Sequence, residues 1–218
     1  MDKSYNDMLL TTKLRKDGIM LPTSILSDEH RVIEVVLTCL ERMSDQALVQ
    51  GRLDQAAADQ AVDFLRSFAD RCHHGKEENQ LFTLMEQKGV PREGGPIGVM
   101  LHEHEQGREY IRGMAASSAA AGRGDAQALQ VFAANTRGYV NLLRAHIHKE
   151  DHILFPMAAR VFDAEDENRL ISAFETVEKE HMGVGTHEKY LALARSLAEK
   201  FGVPADNLSE HACGCSHK

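Results

Sequence analysis

Two ten-residue segments of the chain, 73–82 and 146–155, repeat one pattern of residue types: a histidine, a lysine followed by two acids, and then leucine and phenylalanine. In each segment a histidine precedes a glutamate by four residues, His73 before Glu77 and His146 before Glu150. Residues four apart lie on the same face of an α-helix, so each segment would present an imidazole and a carboxylate to one point. Such a pair is compatible with a buried ion pair, but it also offers two ligands to a metal ion.

The elements that must position these pairs are helices. Apolar residues recur at three- and four-residue steps almost throughout, and strand patterns are nearly absent. Short connections between the segments favour an all-α fold, an up-down-up-down four-helix bundle with an additional C-terminal helix. The predicted helices run from Pro22 to about Met43, from the Asp54 cap to the Gly/Pro stretch at 89–96, from Ile97 to about 115–124, from the Asp125 cap to about Met157, and over roughly 167–201.

The predicted organisation has one bundle and no flexible linker between folding units. It comprises an N-terminal extension (1–21), the bundle (22–162), a C-terminal helix that packs on or caps the bundle (163–203) and a short tail containing cysteine and histidine (204–218). The formal net charge of −8 argues against nucleic acid as a partner. The sequence lacks a membrane span and a secretory signal pattern, so we expect a cytoplasmic protein without membrane contact.

The two remaining bundle helices each place a histidine on the core stripe, His30 on the first and His104 on the third. Four histidines and two glutamates are too many ligands for one tetrahedral zinc, and imidazole with carboxylate suits iron, manganese or zinc. Two metal ions therefore fit better, bridged by both glutamates and with coordination positions open for a small ligand. The predicted metal ligands are His30, His73, Glu77, His104, His146 and Glu150.

These motifs resemble the hemerythrin-like family, the HHE cation-binding domain. The resemblance covers about residues 22–160 and rests on Asp28-Glu-His30, His73-His-Gly-Lys-Glu77-Glu, Glu103-His104-Glu and His146-Ile-His-Lys-Glu150-Asp followed by Leu-Phe-Pro156. It implies a non-haem site with two iron ions (Fe2+/Fe3+), joined by an oxo or hydroxo bridge when oxidised. It also implies a small ligand such as O2, NO or H2O2.

The chain departs from the oxygen carriers of that family at one position. The carriers have a fifth histidine four residues before the position of His104, and this chain has Met100 there. A four-His, two-Glu set is similar to the iron-centre repair branch, although the separate cysteine-bearing domain of those proteins is absent here. His187 on the C-terminal helix is a candidate for the fifth histidine, and Asp151 is an alternative to Glu150.

Other polar residues near the motifs have open roles. An α-helix turns His74 and His148 away from the ligand stripe, so both are expected at the surface or outside the ligand set, as are His102 and His152. A one-residue slip to His74 and Glu78 is the main rival for the first ligand pair. Two residues could assist the ligands or be ordinary bundle residues: Glu34, one turn after His30, and Tyr139, two turns before His146.

The leading hypothesis from the sequence is a non-haem di-iron protein that binds or reduces O2, NO or H2O2. It would act in oxygen, peroxide or nitric-oxide response with an unidentified reductant, as a monomer or homodimer, and whether it is an oxidoreductase enzyme stays open. The alternative is iron storage, delivery or iron-centre repair, with Cys213 and Cys215 of the tail handling transfer.

Overall fold

The computed structural model describes residues 21–179, 185–205 and 208, and within them every regular element is a helix. The all-α prediction is confirmed. Helix α1 spans Pro22–Gln50 and α3 spans Pro96–Gly122. Helix α2 is one continuous helix from Gln55 to Gln87, and α4 is one from Ala126 to Val161. Two further helices follow, α5 (Ala164–Val177) and α6 (Thr186–Phe201).

The helix ends follow local sequence signals. Pro22 and Pro96 occupy the first turns of α1 and α3, where a missing N–H costs nothing. The side chains of Asp54 and Asp125 accept hydrogen bonds from backbone N–H groups of the first turns of α2 and α4, as predicted. Helix α1 continues past the predicted end near Met43, until Gly51 adopts a left-handed conformation that ends it at Gln50.

Helices α2 and α4 change their hydrogen-bond pattern near the repeated motifs. The Phe82 N–H donates to the Glu77 carbonyl, and the Phe155 N–H donates to the Glu150 carbonyl, five residues earlier in each case. These are π-helical segments: Leu65–His74 and Glu77–Leu81 in α2, and Glu150–Leu154 in α4. Such segments are rare, and they are frequent at functional sites.

A belt of polar residues divides the buried core into two apolar clusters. On α1, Leu26 belongs to the smaller cluster and Ile33 to the larger, with His30 between them. On α2 the order is reversed, since Ala69 of the larger cluster precedes the polar residues and Leu81 of the smaller cluster follows them. Helix α3 repeats the order of α1, and α4 that of α2. The four helices therefore run up, down, up and down.

The C-terminal part differs from the prediction of one helix over roughly 167–201. The α-helical part of α5 spans Ala164–Val177 and continues as π-helix through Glu178 and Lys179, whereas Gly185, with a left-handed φ of 83°, directly precedes α6. Helix α6 packs against α1 and α2 at the larger apolar cluster, and α5 contacts α1 and α2 near the polar belt. Within the described residues, no helix has the length and apolar character needed to cross a membrane.

Candidate metal centre

The polar belt contains all six ligands predicted from the sequence. Each of these side chains is almost fully buried, although burial of ionisable groups is costly unless they are paired or bind a metal. They are contributed by all four bundle helices at one level, between the two apolar clusters: His30, His73, Glu77, His104, His146 and Glu150.

The first of two ligand clusters contains His30, His73, Glu77 and Glu150, and their donor atoms all lie within 4.8 Å of one another. The Nε2 atom of His73 is 3.5 Å from Oε1 of Glu77, one helical turn away on α2. The Nε2 atom of His30 is 3.3 Å from Oε2 of Glu150 on α4. Two imidazoles and two carboxylates from three helices thus converge on one point.

The second cluster contains His74, Glu77, His104 and His146, again with donor atoms within 4.8 Å of one another. Oε2 of Glu77 lies 3.6 Å from Nε2 of His104, and Oε1 of the same carboxylate faces His73 in the first cluster. Glu150 is placed in the same way, with Oε1 3.2 Å from Nε2 of His146 and Oε2 toward His30. Each glutamate therefore has one oxygen on each side, as a bridging ligand requires.

His74 is a further ligand candidate in this cluster. A surface position for it is wrong, because the side chain is only 3% exposed and its ring stacks on His104 at 3.8 Å between centroids. The cause is the π-helical segment that ends at His74. More residues per turn reduce the angle between neighbours, so His73 and His74 both face the core. His73 and His74 therefore both lie in groups whose donor atoms converge, His73 in the first cluster and His74 in the second.

Every histidine of the belt has an acidic side chain beside its Nδ1 atom. A carboxylate only accepts, so Nδ1 carries the proton in the four hydrogen-bonded cases and the Nε2 lone pair points into the cluster. This arrangement is typical of metal-binding histidines. The hydrogen-bonded pairs are His30 with Asp151 (2.9 Å), His73 with Glu29 (2.8 Å), His104 with Glu78 (2.7 Å) and His146 with Glu103 (2.9 Å). In the fifth pair His74 Nδ1 lies 3.5 Å from Asp70 Oδ1.

The same pairing assigns roles to two acids that the sequence reasoning left open. Asp151 was an alternative to Glu150 as a ligand, and Glu78 was a rival to Glu77. Asp151 instead holds the outer nitrogen of His30, and Glu78 holds that of His104. Each of these acids therefore contacts the Nδ1 side of a histidine ring and not the Nε2 atom that faces the cluster.

The donor set fits metal ions in its charge and in its unsatisfied atoms. Both oxygens of Glu77 and of Glu150, and Nε2 of His30 and His73, are buried without a hydrogen-bond partner in the described structure. Nε2 of His104 and Nε2 of His146 lie 3.0 Å apart, and two lone pairs at that distance repel unless a cation lies between them. Without metal, an extra proton on His146 would remove the repulsion, and metal binding would displace that proton.

The pKa values of the belt residues show how strongly these groups interact. Burial and the neighbouring Glu150 raise the pKa of Glu77 well above its usual range. Burial opposes the charge of Glu150 as well, but His146 and His30 hold its pKa well below the usual range. Burial lowers the pKa of His104 to about 3, whereas Glu150 and Glu103 overcome burial and raise the pKa of His146 to about 9.

Three residues were candidates for an additional ligand or for support of a ligand, and none of them belongs to either cluster: Glu34, His187 and Tyr139. Glu34 is not on the core side, because its side chain is 39% exposed and accepts a hydrogen bond from Arg31. His187 is buried but groups with Glu29 and Glu178, apart from both clusters. Tyr139 is buried in the larger apolar cluster, and its hydroxyl has no hydrogen-bond partner in the described structure. A role for Tyr139 at the metal centre stays a prediction.

The remaining residues that the sequence singled out lie outside both clusters or outside the described part of the chain. His102, His148 and His152 are exposed, as expected. Met100, in the carriers' fifth-histidine position, is buried in the smaller apolar cluster beside the belt. The cysteines of the tail, Cys213 and Cys215, lie outside the described residues.

Comparisons with known proteins agree with this site. The family model of the hemerythrin HHE cation-binding domain matches residues 21–158, a range that includes every residue of the two clusters. Uncharacterized proteins of Mycobacterium bovis and Mycobacterium tuberculosis are 21% identical over 193 residues, covering 88% of this chain and 74% of theirs. No solved structure gives a significant match.

Proposed function

Because this chain belongs to the hemerythrin family of HHE cation-binding domains, we propose that it is a cytoplasmic non-haem di-iron protein that binds or reduces O2, NO or H2O2. One observation carries the proposal: two buried His/Glu clusters share Glu77. The shared carboxylate of Glu77 would hold both ions in adjacent positions, within reach of one small ligand. When bound, iron would supply the redox chemistry, with electrons from an unidentified reductant.

The two clusters have different ligand sets, which favours the first as the place where the small ligand binds. The first offers two imidazoles and two carboxylates, and the second offers three imidazoles with Glu77 and one oxygen of Glu150 nearby. The first cluster would therefore hold its ion with fewer protein donors than the second. An ion bound there would leave more of its coordination positions to an exogenous ligand.

The surrounding side chains support a dry and rigid pocket. Phe155 stacks on His30 at 5.5 Å, and Leu84 and Met100 are buried in the smaller apolar cluster, against which Met157 packs. The outer carboxylates fix the rings of the histidines. Exclusion of water strengthens the electrostatic interactions in the pocket and limits side reactions of a reactive ligand.

Metal analysis combined with optical spectroscopy tests the proposal. The purified protein is expected to hold two irons per chain, with near-ultraviolet charge-transfer bands that disappear on reduction and change on exposure to O2, NO or H2O2. One zinc per chain, or no metal, would contradict the proposal. Two irons that a mild chelator removes within minutes would instead favour the alternative of iron storage, delivery or iron-centre repair.

A further inference from the structure

The two helices that follow the matched domain reach the metal centre from outside. The family match ends at residue 158, and α5 and α6 begin after it. These helices bring Glu178 and His187 next to Glu29, with donor atoms within 4.8 Å of one another. Glu29 in turn holds the outer nitrogen of His73 in the first cluster.

A continuous chain of polar contacts joins Glu178 to the first cluster. Nζ of Lys76 donates to Oε1 of Glu178 at 2.5 Å and to Oε1 of Glu29 at 2.5 Å. The other oxygen of Glu29 accepts the Nδ1 proton of His73 at 2.8 Å. Every group between the surface and the metal ligand is thus fixed by a charge-assisted hydrogen bond.

The burial of Lys76 makes this series of hydrogen-bonded groups rigid. Its ammonium group is fully buried, and Glu178 is 12% exposed. A buried cation requires oppositely charged partners, so Lys76 needs both carboxylates. The ammonium lies where Glu29, Glu178 and His187 would otherwise converge on a cation, which leaves Glu29 in one orientation toward His73.

The half of the bundle formed by α3 and α4 has no counterpart of Glu178 among the described residues. There Lys149 donates to Glu103, which holds His146, but Lys149 is 32% exposed. No second carboxylate is paired with Lys149 among the described residues. The outer support of the two clusters is therefore unequal, and the difference comes from α5.

We propose that Glu178 is a positioning residue, which acts through Lys76 and Glu29 to fix the ring of His73 and so to tighten metal binding at the first cluster. The proposal rests on the proposed di-metal function. It assigns a role in the centre to a part of the chain beyond residue 158, where the family match ends.

The test is proton NMR of the Co2+-loaded full chain, in which exchangeable imidazole N–H protons of metal-bound histidines are shifted by the paramagnetic ions. Glu178→Gln should move the His73 Nδ1–H signal, speed its exchange with water, and leave the His104 and His146 signals in place. Changes in groups that hold a ligand histidine cost about 10–100-fold in metal affinity, and we expect about three- to tenfold for this more distant change.

Two matched variants control the measurement. Glu175→Gln removes a half-exposed acid from the same helix, where it pairs with Lys179, and should leave all shifted signals unchanged. Lys149→Gln alters the corresponding pair in the other half and should move the His146 signal instead. Should Glu178→Gln fail to fold by circular dichroism, Lys76→Arg keeps the buried charge with altered geometry and should still move the His73 signal.

The possible outcomes separate the two proposals. Shifted imidazole protons that Glu178→Gln and Lys76→Arg both leave unchanged would overturn the positioning role alone. A wild-type protein without any shifted imidazole proton would contradict the metal centre itself, and the positioning role with it. A uniform change of all signals in Glu178→Gln would indicate a general loosening of the fold and would also overturn the proposal.

Discussion

The two halves of the bundle, α1 with α2 and α3 with α4, carry the same constellation of side chains. In each half a Glu-His pair lies on the first helix, and a His-x-x-Lys-Glu motif lies on the second. In each, the glutamate of the first helix binds both the histidine and the lysine of the second. The equivalent sets are Glu29, His30, His73, Lys76 and Glu77 in one half, and Glu103, His104, His146, Lys149 and Glu150 in the other.

One position breaks this correspondence inside the core. The residue after the first motif histidine is His74 in one half and Ile147 in the other, and both are buried. His74 does not add its imidazole to the cluster that contains its neighbour His73, since it lies with His104 and His146 from the opposite half. A near-symmetric scaffold thus yields two clusters with different sets of potential ligands, and the difference comes from one extra imidazole.

The largest effect is expected from the residue that the two clusters share. Glu77→Gln removes the charge from a donor common to both, so we expect metal content to fall from two ions to less than one per chain. The raised pKa of Glu77 means that a neutral side chain suits the metal-free core. The metal-free variant should therefore melt at the same temperature as the metal-free wild type or higher.

Elemental analysis and thermal melts check both parts of this prediction. Glu86→Gln, a change at a partly exposed acid near the end of the same helix, is the matched control and should retain both ions. Full metal content in Glu77→Gln would show that the glutamate is a structural residue of the core. A large loss of stability in the metal-free variant would show that its charge is needed by the fold.

The second prediction makes the two halves alike. His74→Ile gives the first half the residue that Ile147 provides in the second, and it removes one of three imidazoles from the second cluster. We expect that cluster to lose its ion while the first keeps its own, so that one ion per chain remains. Loss of a residue that only supports a ligand typically weakens metal binding by about 10–100-fold. Loss of a direct ligand should weaken it by more.

Quantitative metal titration of His74→Ile provides the measurement. His148→Ala, at an exposed histidine, is the control and should hold two ions. Unchanged binding in His74→Ile would mean that His74, although buried, lies outside the ligand set, as α-helical geometry predicts.

The contrast between His73 and His74 also shows what the sequence can predict at this site. The four-residue spacing of His73 and Glu77 was sufficient to place both in the belt, because residues at that spacing share a face in either helical form. His74 could not be placed, since the angle between neighbours depends on a π-helical segment that the apolar periodicity does not reveal. Only two local features of the sequence pointed to a buried His74. The two histidines are adjacent, and the buried residues around them cover more than one stripe of an α-helix.

Contacts between helices were beyond the reach of sequence reasoning. Glu29 is the neighbour of His30 in the chain but binds His73, and His30 is held by Asp151 from α4. Such pairs depend on how four helices pack. The up-down order was predictable from short connections and apolar stripes, whereas the division of the C-terminal region at Gly185 was not, because apolar residues recur on both sides of it.

The smallest effects concern the two glutamates that support a histidine in each half. Glu29→Gln should weaken the first cluster and Glu103→Gln the second, each by about 10–100-fold, because the amide no longer favours the Nδ1–H tautomer of the ligand. The halves should differ in stability. Lys76 is fully buried and loses one of its two carboxylates in Glu29→Gln, which should cost about 1–3 kcal/mol. Lys149 is 32% exposed and keeps access to water in Glu103→Gln, so that cost should stay below about 1 kcal/mol.

Competition with a chelator gives the affinity of each cluster, and urea unfolding of the metal-free proteins gives the stability difference. Equal stability losses in Glu29→Gln and Glu103→Gln would mean that the buried Lys76 is satisfied by Glu178 alone, and that the asymmetry between the halves is confined to His74. A larger loss in Glu29→Gln that Glu178→Gln shares would instead place the second asymmetry in the outer support, where α5 covers one half and leaves the other open to solvent.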